Sequence, residues 1–257
     1  MRRIFSIGIF CLLMFFAHPV LADCGGGSYY VWPQGKQLNP NAIIMIQGSD
    51  DKCHYVDGIG IKYPAFLVCD SVRVKLEAFE RHKSEFGLTQ VLLRPAHPLR
   101  SGAVYHLQID SLPLDEKGPL RYNYDNRKYE KYQWFISDSQ DVSAPTWTDL
   151  PKVSRKTYVR YGCGPEMHVY FNYHIADASP LLLRTTVTNT DTKKKSTYCV
   201  TASDTMVGVG MHMCTGEFIL KPDVIYEVTF DIIDASGNNA VWQRKPILFT
   251  AATKETE

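Results

Sequence analysis

At 257 residues, 45% of them hydrophobic and 21% charged, the chain has room for two domains of ordinary size and the makeup of a folded protein rather than a disordered one. Its formal net charge is +1 and no long basic run occurs, so no concentrated positive surface is offered to nucleic acid. Past residue 22 nothing is apolar enough for a helical span, which needs about 20 apolar residues.

The first element is a leader. Arg2 and Arg3 form a positive end, residues 4–16 are apolar, and Val20, Leu21 and Ala22 supply small or apolar side chains for cleavage after Ala22. Export to the periplasm, the cell surface or the medium is therefore expected, with a chain that is not transmembrane after cleavage. Asp23 stands where a lipidated cysteine would follow a small residue, so Cys24 is expected to pair instead, and the glycines 25–27 read as a flexible start. Cys11 leaves with the leader. The remaining Cys24, Cys53, Cys69, Cys163, Cys199 and Cys214 are even in number, which in an exported chain implies disulfides. Cys53 with Cys69 closes a short local loop. Cys214 is expected with Cys163 or Cys199; with three cysteines in each half, either a bridge such as Cys24–Cys199 joins the halves or one thiol in each half stays free.

The strands follow. Val31 and residues 42–46 start a sheet; Val72, Val74 and Leu76 alternate with Arg73, Lys75 and Glu77; residues 90–93 make another strand, and 77–84 a helical turn at most. Leu99, Gly102 and Tyr105 then form L-x-x-G-x-x-Y, after which Tyr105, Leu107 and Ile109 share one parity. The aromatic stretch YNYDNRKYEKYQWF (122–135) comes next, and a polar connector over residues 138–146 separates the halves. In the second half Val169, Phe171, Tyr173 and Ile175 alternate with polar residues, and 181–187 and 197–201 flank a polar hairpin tip. Leu220 then precedes Tyr226, Val228, Phe230 and Ile232, as Leu99 precedes Tyr105, and D-x-S-G-N (234–238) closes the strand. The halves repeat one another.

A leucine, a turn and a tyrosine opening a late strand is the sequence face of a tyrosine corner, at Tyr105 and again at Tyr226. On these motifs the chain resembles the immunoglobulin-like and fibronectin type III-like modules common in exported bacterial proteins. The resemblance covers 23–137 and 147–251, with 252–257 as a tail, and implies an all-β fold of two consecutive immunoglobulin-like β-sandwich domains. Such modules act as spacers, adhesion units or binding domains, so it implies a class of role and no reaction.

Side chains with chemical potential are few. No G-x-S-x-G, H-E-x-x-H, Walker or dinucleotide motif occurs, so the chain is expected not to be an enzyme. A hydrolase assembled from distant residues would need a buried histidine–carboxylate pair lining a pocket. Cys163, between glycines in YGCGP (161–165), reads as half of a disulfide rather than a nucleophile. In GMHMC (210–214) the thioethers and imidazole of Met211, His212 and Met213 are donors suited to copper, with Met167 and His168 as a second pair if the strands neighbour one another. Strand alternation opposes this by sending Met211 and Met213 to one face and His212 to the other. Calcium has two possible acidic turns, Asp231, Asp234, Ser236 and Asn238 in one and Asp50, Asp51 and Asp57 in the other, though Asx turns need no metal. Tyr122, Tyr124, Arg127, Tyr129 and Tyr132 form the best partner surface, for an envelope or extracellular protein or a glycan. The expected role is non-enzymatic adhesion, envelope structure or partner binding. Copper handling around 211–213 is the alternative.

Overall fold

The computed structural model describes residues 24–114, 116–203 and 205–254; the leader, residues 1–22, lies outside them. Strand accounts for 55% of the chain and helix for 4%, so the fold is all-β.

The first half builds one eight-stranded sheet. Its strands are β1 (Tyr29–Trp32), β2 (Gln37–Leu38), β3 (Ile44–Ser49), β4 (Ala65–Cys69), β5 (Val72–Lys83), β6 (Leu88–Pro95), β7 (Val104–Ile109) and β10 (Gln133–Ile136), in the order β1-β3-β6-β5-β4-β7-β10-β2. A short helix α1 (Cys53–Gly58) follows β3, and a separate hairpin of β8 (Leu120–Asn123) and β9 (Lys128–Lys131) lies between β7 and β10. β5 holds the sheet together: residues up to Leu76 pair with β4, and from Leu76 to Lys83 it pairs with β6 across a bulge between Ala78 and Glu80. Bulges bend a strand and increase its twist, which lets one sheet wrap its own core. Residues 77–84 are thus strand through Lys83, not a helical turn. Ile46, Leu67, Val74, Leu76, Val91 and Trp134 fill that core, whereas Val72, at the tight β4–β5 turn where Asp70 has φ 51°, is exposed.

The second half is a two-sheet sandwich. β11 (Thr146–Tyr161), β12 (Gly164–Ala176) and β15 (Met206–Met211) form one sheet. β13 (Leu181–Asn189), β14 (Lys195–Thr201), β16 (Ile225–Asp234), β17 (Asn239–Ala240) and β18 (Ile247–Thr250) form the other. Val169 and Phe171 from the first sheet meet Leu183, Val228, Phe230 and Phe249 from the second. Each half has a tyrosine whose buried ring sends its hydroxyl back to accept a backbone N–H: Tyr105 from Arg100 at 3.4 Å and Tyr226 from Lys221 at 2.9 Å.

The halves do not hang apart on a linker. Ile43, Met45 and Leu92, on the outer side of the first sheet, close against Leu182, Cys199, Ile233 and Ala235 in a third apolar cluster that also takes Trp32. Both β3 and β6 are apolar on two faces, and a continuous apolar run marks a strand buried on both sides. Polar contacts finish the seam: the Gln90 side chain donates to the Cys199 carbonyl at 2.7 Å and accepts its N–H at 3.1 Å, and Arg184 grips both oxygens of Glu80.

The cysteines pair differently from expectation. The bridge is Cys24–Cys214, with Cα atoms 5.7 Å apart, and Cys53, Cys69, Cys163 and Cys199 are free. Cys53 opens α1 and turns its sulfur to the carbonyls of Gly48 and Gly87 at 3.3 and 3.4 Å; Cys69 ends β4 beside Asp70 and Arg100. Cys199 is sealed in the seam, where burial pushes its thiol far up, so neither Cys24 nor Cys214 reaches it. Among the described residues no helix is long and apolar enough to cross a membrane.

Candidate functional site

Two places gather side chains with binding chemistry. The first is the β8–β9 hairpin. Asn123 and Asn126 shape its turn by accepting the N–H groups of Asp125 and Lys128, both at 3.0 Å, and Arg127 takes a left-handed φ of 55° at the tip. With the turn so fixed, Tyr122 meets Tyr124 and Tyr129 edge-on, at centroid separations of 5.0 and 5.1 Å. Tyr124 and Tyr129 are 84% and 69% exposed, an unusual cost for a tight aromatic trio in water. Tyr132 is not among them. It shares the parity of Trp134, is buried, stacks on that indole at 6.0 Å and carries the Arg121 guanidinium over its ring. Arg121 also donates to the Gln34 carbonyl, which ties the hairpin to the sheet.

Between this hairpin and β7 and β10 lies a cleft of about 540 Å³, lined by Arg121, Tyr122, Tyr124, Glu130 and the exposed Val104 and Phe135. That volume falls among small-ligand sites, and the lining mixes aromatic faces with charged hydrogen-bonding groups. Amide groups of Asn126 and Asn123 donate to Glu130 and hold its carboxyl below its ordinary range.

The second place is the end of the β11–β12–β15 sheet. Glu166 and His168 alternate onto one face of β12. β15 runs beside it with His168 opposite Gly210, which carries His212, just past the strand end, to the same face. A Cβ on Gly210 would collide with the Met167 carbonyl, so only glycine permits this approach. The imidazoles of His168 and His212 lie 4.6 Å apart between centroids. Glu166 sits 3.9 Å from His168 Nδ1 and 3.2 Å from His212 Nδ1. Burial, and then the neighbouring His212, pull His168 down to about 4, with Glu166 opposing them. Met211, at the end of β15, pairs with Met167 of β12 and packs against Gly216, while Met213 sits in the following turn, 37% exposed. Cys214, in its bridge, has no thiolate to add to Met211, His212 and Met213. The free Cys163 brings its sulfur within 4.8 Å of both bridge sulfurs.

The acidic turns considered for calcium carry other contacts. Asp231 pairs with Arg184 at 3.3 Å and accepts the Trp242 N–H, while Asp51 serves Gly27 and Lys52 and Asp57 serves Lys83. Asp234 instead approaches Asp141 and Asp177. Its carboxylate accepts the N–H groups of Ser236 and Asn238, both at 2.8 Å, and burial holds its pKa up. Of the second place, sequence reading singled out His212 and paired Met167 with His168, but missed Glu166. The x-E-x-H alternation of 166–168 was the available signal, and the cross-strand register that gives it meaning is not written locally.

No family model matches this chain, and no curated protein matches it. Solved structures similar to it include a type I pullulanase from Bacillus subtilis, at 12% identity and TM-score 0.26, covering 87% of this chain and 28% of that one. The FN1-FN3 domains of chicken CNTN1 match at 12% identity and TM-score 0.29, covering 85% of this chain and 66% of that one. Tandem Ig repeats of Dlar match at 9% identity and TM-score 0.24, covering 88% and 99%. Immunoglobulin and fibronectin type III domains are thus among the similar structures, but likeness this slight assigns this chain neither a family nor a function.

Proposed function

We propose that this chain is an exported, non-enzymatic binding protein that takes an envelope or extracellular protein or glycan on the tyrosine hairpin. The observation that carries the reading is the exposed trio Tyr122, Tyr124 and Tyr129, the first two of which line the cleft. Tyrosine rings give large rigid contact area at small entropic cost, and rings beside Arg, Asn and Glu suit either a protein hot spot or the faces and hydroxyls of a sugar. A disulfide joining residues far apart in sequence favours an oxidising compartment, in keeping with the leader read from the sequence. Arg127, exposed at the hairpin tip, belongs to the rim of this surface.

The test is capture from source cells by cross-linking and mass spectrometry, with glycan array binding in parallel. Both are compared with Tyr124→Ala/Tyr129→Ala, which removes exposed rings and leaves both cores intact. Loss of two such anchors is expected to weaken a saturable partner by about 2 kcal/mol or more, roughly thirtyfold. A partner retained at full affinity by the double variant would place binding elsewhere.

A further inference from the structure

We infer that Glu166, His168 and His212 form a binding site for a single divalent transition-metal ion of borderline softness, of the zinc class. Two imidazoles and a carboxylate are a donor set that zinc takes with water completing its coordination. One carboxylate oxygen and one nitrogen of each ring lie within 4.8 Å of one another. A tetrahedral ion with bonds of about 2.0–2.1 Å sets its donors about 3.3 Å apart. His212 Nδ1 lies 3.2 Å from Glu166 Oε2, already at that spacing, and His168 Nδ1 lies 3.9 Å from the other oxygen, Oε1, so a small rotation of the Glu166 carboxylate brings one oxygen to both rings.

The independent pointer is His168 itself. Its side chain is only 6% exposed, yet its Nδ1 is buried with no hydrogen-bond partner while facing the Glu166 carboxylate. Buried polar atoms in folded proteins are nearly always satisfied, and leaving one unpaired costs about 1–3 kcal/mol. The ring lies against Tyr170 and Gly208 on the protein side, so the partner missing from Nδ1 has to sit toward Glu166 and His212. His212 is 63% exposed, so an ion has an open path from solvent and room to keep water. The ligands differ from the copper set suggested by the sequence: His212, and His168 of the second pair, are common to both, and Glu166 takes the place of the methionines.

The experiment is zinc titration of the chain with its Cys24–Cys214 bridge intact, by calorimetry and native mass spectrometry, followed by cobalt substitution. One equivalent of zinc is expected. His212→Ala and Glu166→Gln should each weaken it at least about tenfold, while circular dichroism and unfolding midpoints stay unchanged because both side chains reach solvent. His174→Ala, on an exposed histidine further along β12, and Cys163→Ser should leave affinity as it is. Cobalt should give visible d–d bands with no thiolate charge-transfer absorption. The inference fails if the parent chain binds no zinc or if His212→Ala and Glu166→Gln bind like the parent. It also fails if Cys163→Ser abolishes binding or cobalt shows thiolate bands, since the ion would then belong to the sulfur cluster.

Discussion

Glu80 shows what the seam between halves demands of a single side chain. Burial alone would raise its pKa, but His82 and the forked contact with Arg184 outweigh that and hold it at about 2. A carboxyl whose folded value is depressed stabilises the fold at pH above its unfolded value, near 4.5, and loses that contribution as pH falls through about 2. Glu80→Gln should therefore cost about 2–3 kcal/mol at pH 7, because it leaves a half-buried guanidinium with only the longer contact to Asp231. The difference from the parent should shrink steadily below pH 4 and be nearly gone at about pH 2. Urea unfolding at a series of pH values reads this directly, and a pH-independent difference would assign the cost to packing.

The two tyrosine corners make a matched pair of elements, and their distances rank them. Tyr226 accepts from Lys221 at 2.9 Å, whereas Tyr105 accepts from Arg100 at 3.4 Å, near the limit of a useful hydrogen bond. Tyr226→Phe should cost about 1–1.5 kcal/mol and Tyr105→Phe no more than about 0.5, measured as shifts in unfolding midpoint; equal costs would make the hydroxyls interchangeable. These corners were readable in advance because leucine, turn and tyrosine are close in sequence. Parity within one strand was equally readable, as in Val169 to Tyr173 of β12 or Tyr226 to Ile232 of β16. What escaped depended on a second strand. The both-face burial of β3 and β6 comes from the other half lying on them, and the placement of His212 beside His168 comes from the β12–β15 register. Tyr132 was readable in part: its shared parity with Trp134 was visible, and the core claimed it with that residue. The disulfide was the least legible, since Cys24 and Cys214 are separated by 190 residues and only the completed fold brings them together.

That long-range closure and the apolar seam bear on how the two halves unfold. A connector alone would let each half melt independently, as tandem modules commonly do. Here Leu92 and Leu182 are fully buried in one cluster drawn from both halves, and Gln90 exchanges two hydrogen bonds with the Cys199 backbone. Opening the seam would expose those apolar faces to water, at about 25 cal/mol per Å², and exchange the two Gln90 hydrogen bonds for bonds to water, at a net cost of about 0.5–1.5 kcal/mol each. Neither half can then unfold without removing part of the other's stability, so thermal unfolding of the oxidised chain should be a single calorimetric transition with matching van't Hoff and calorimetric enthalpies. Leu182→Asp puts an unpaired carboxylate into the seam while sparing the inward-facing residues of both cores. It should lower stability by more than about 3 kcal/mol and split the transition into two. Two transitions already present in the parent chain would mean that the seam is too weak to couple the halves.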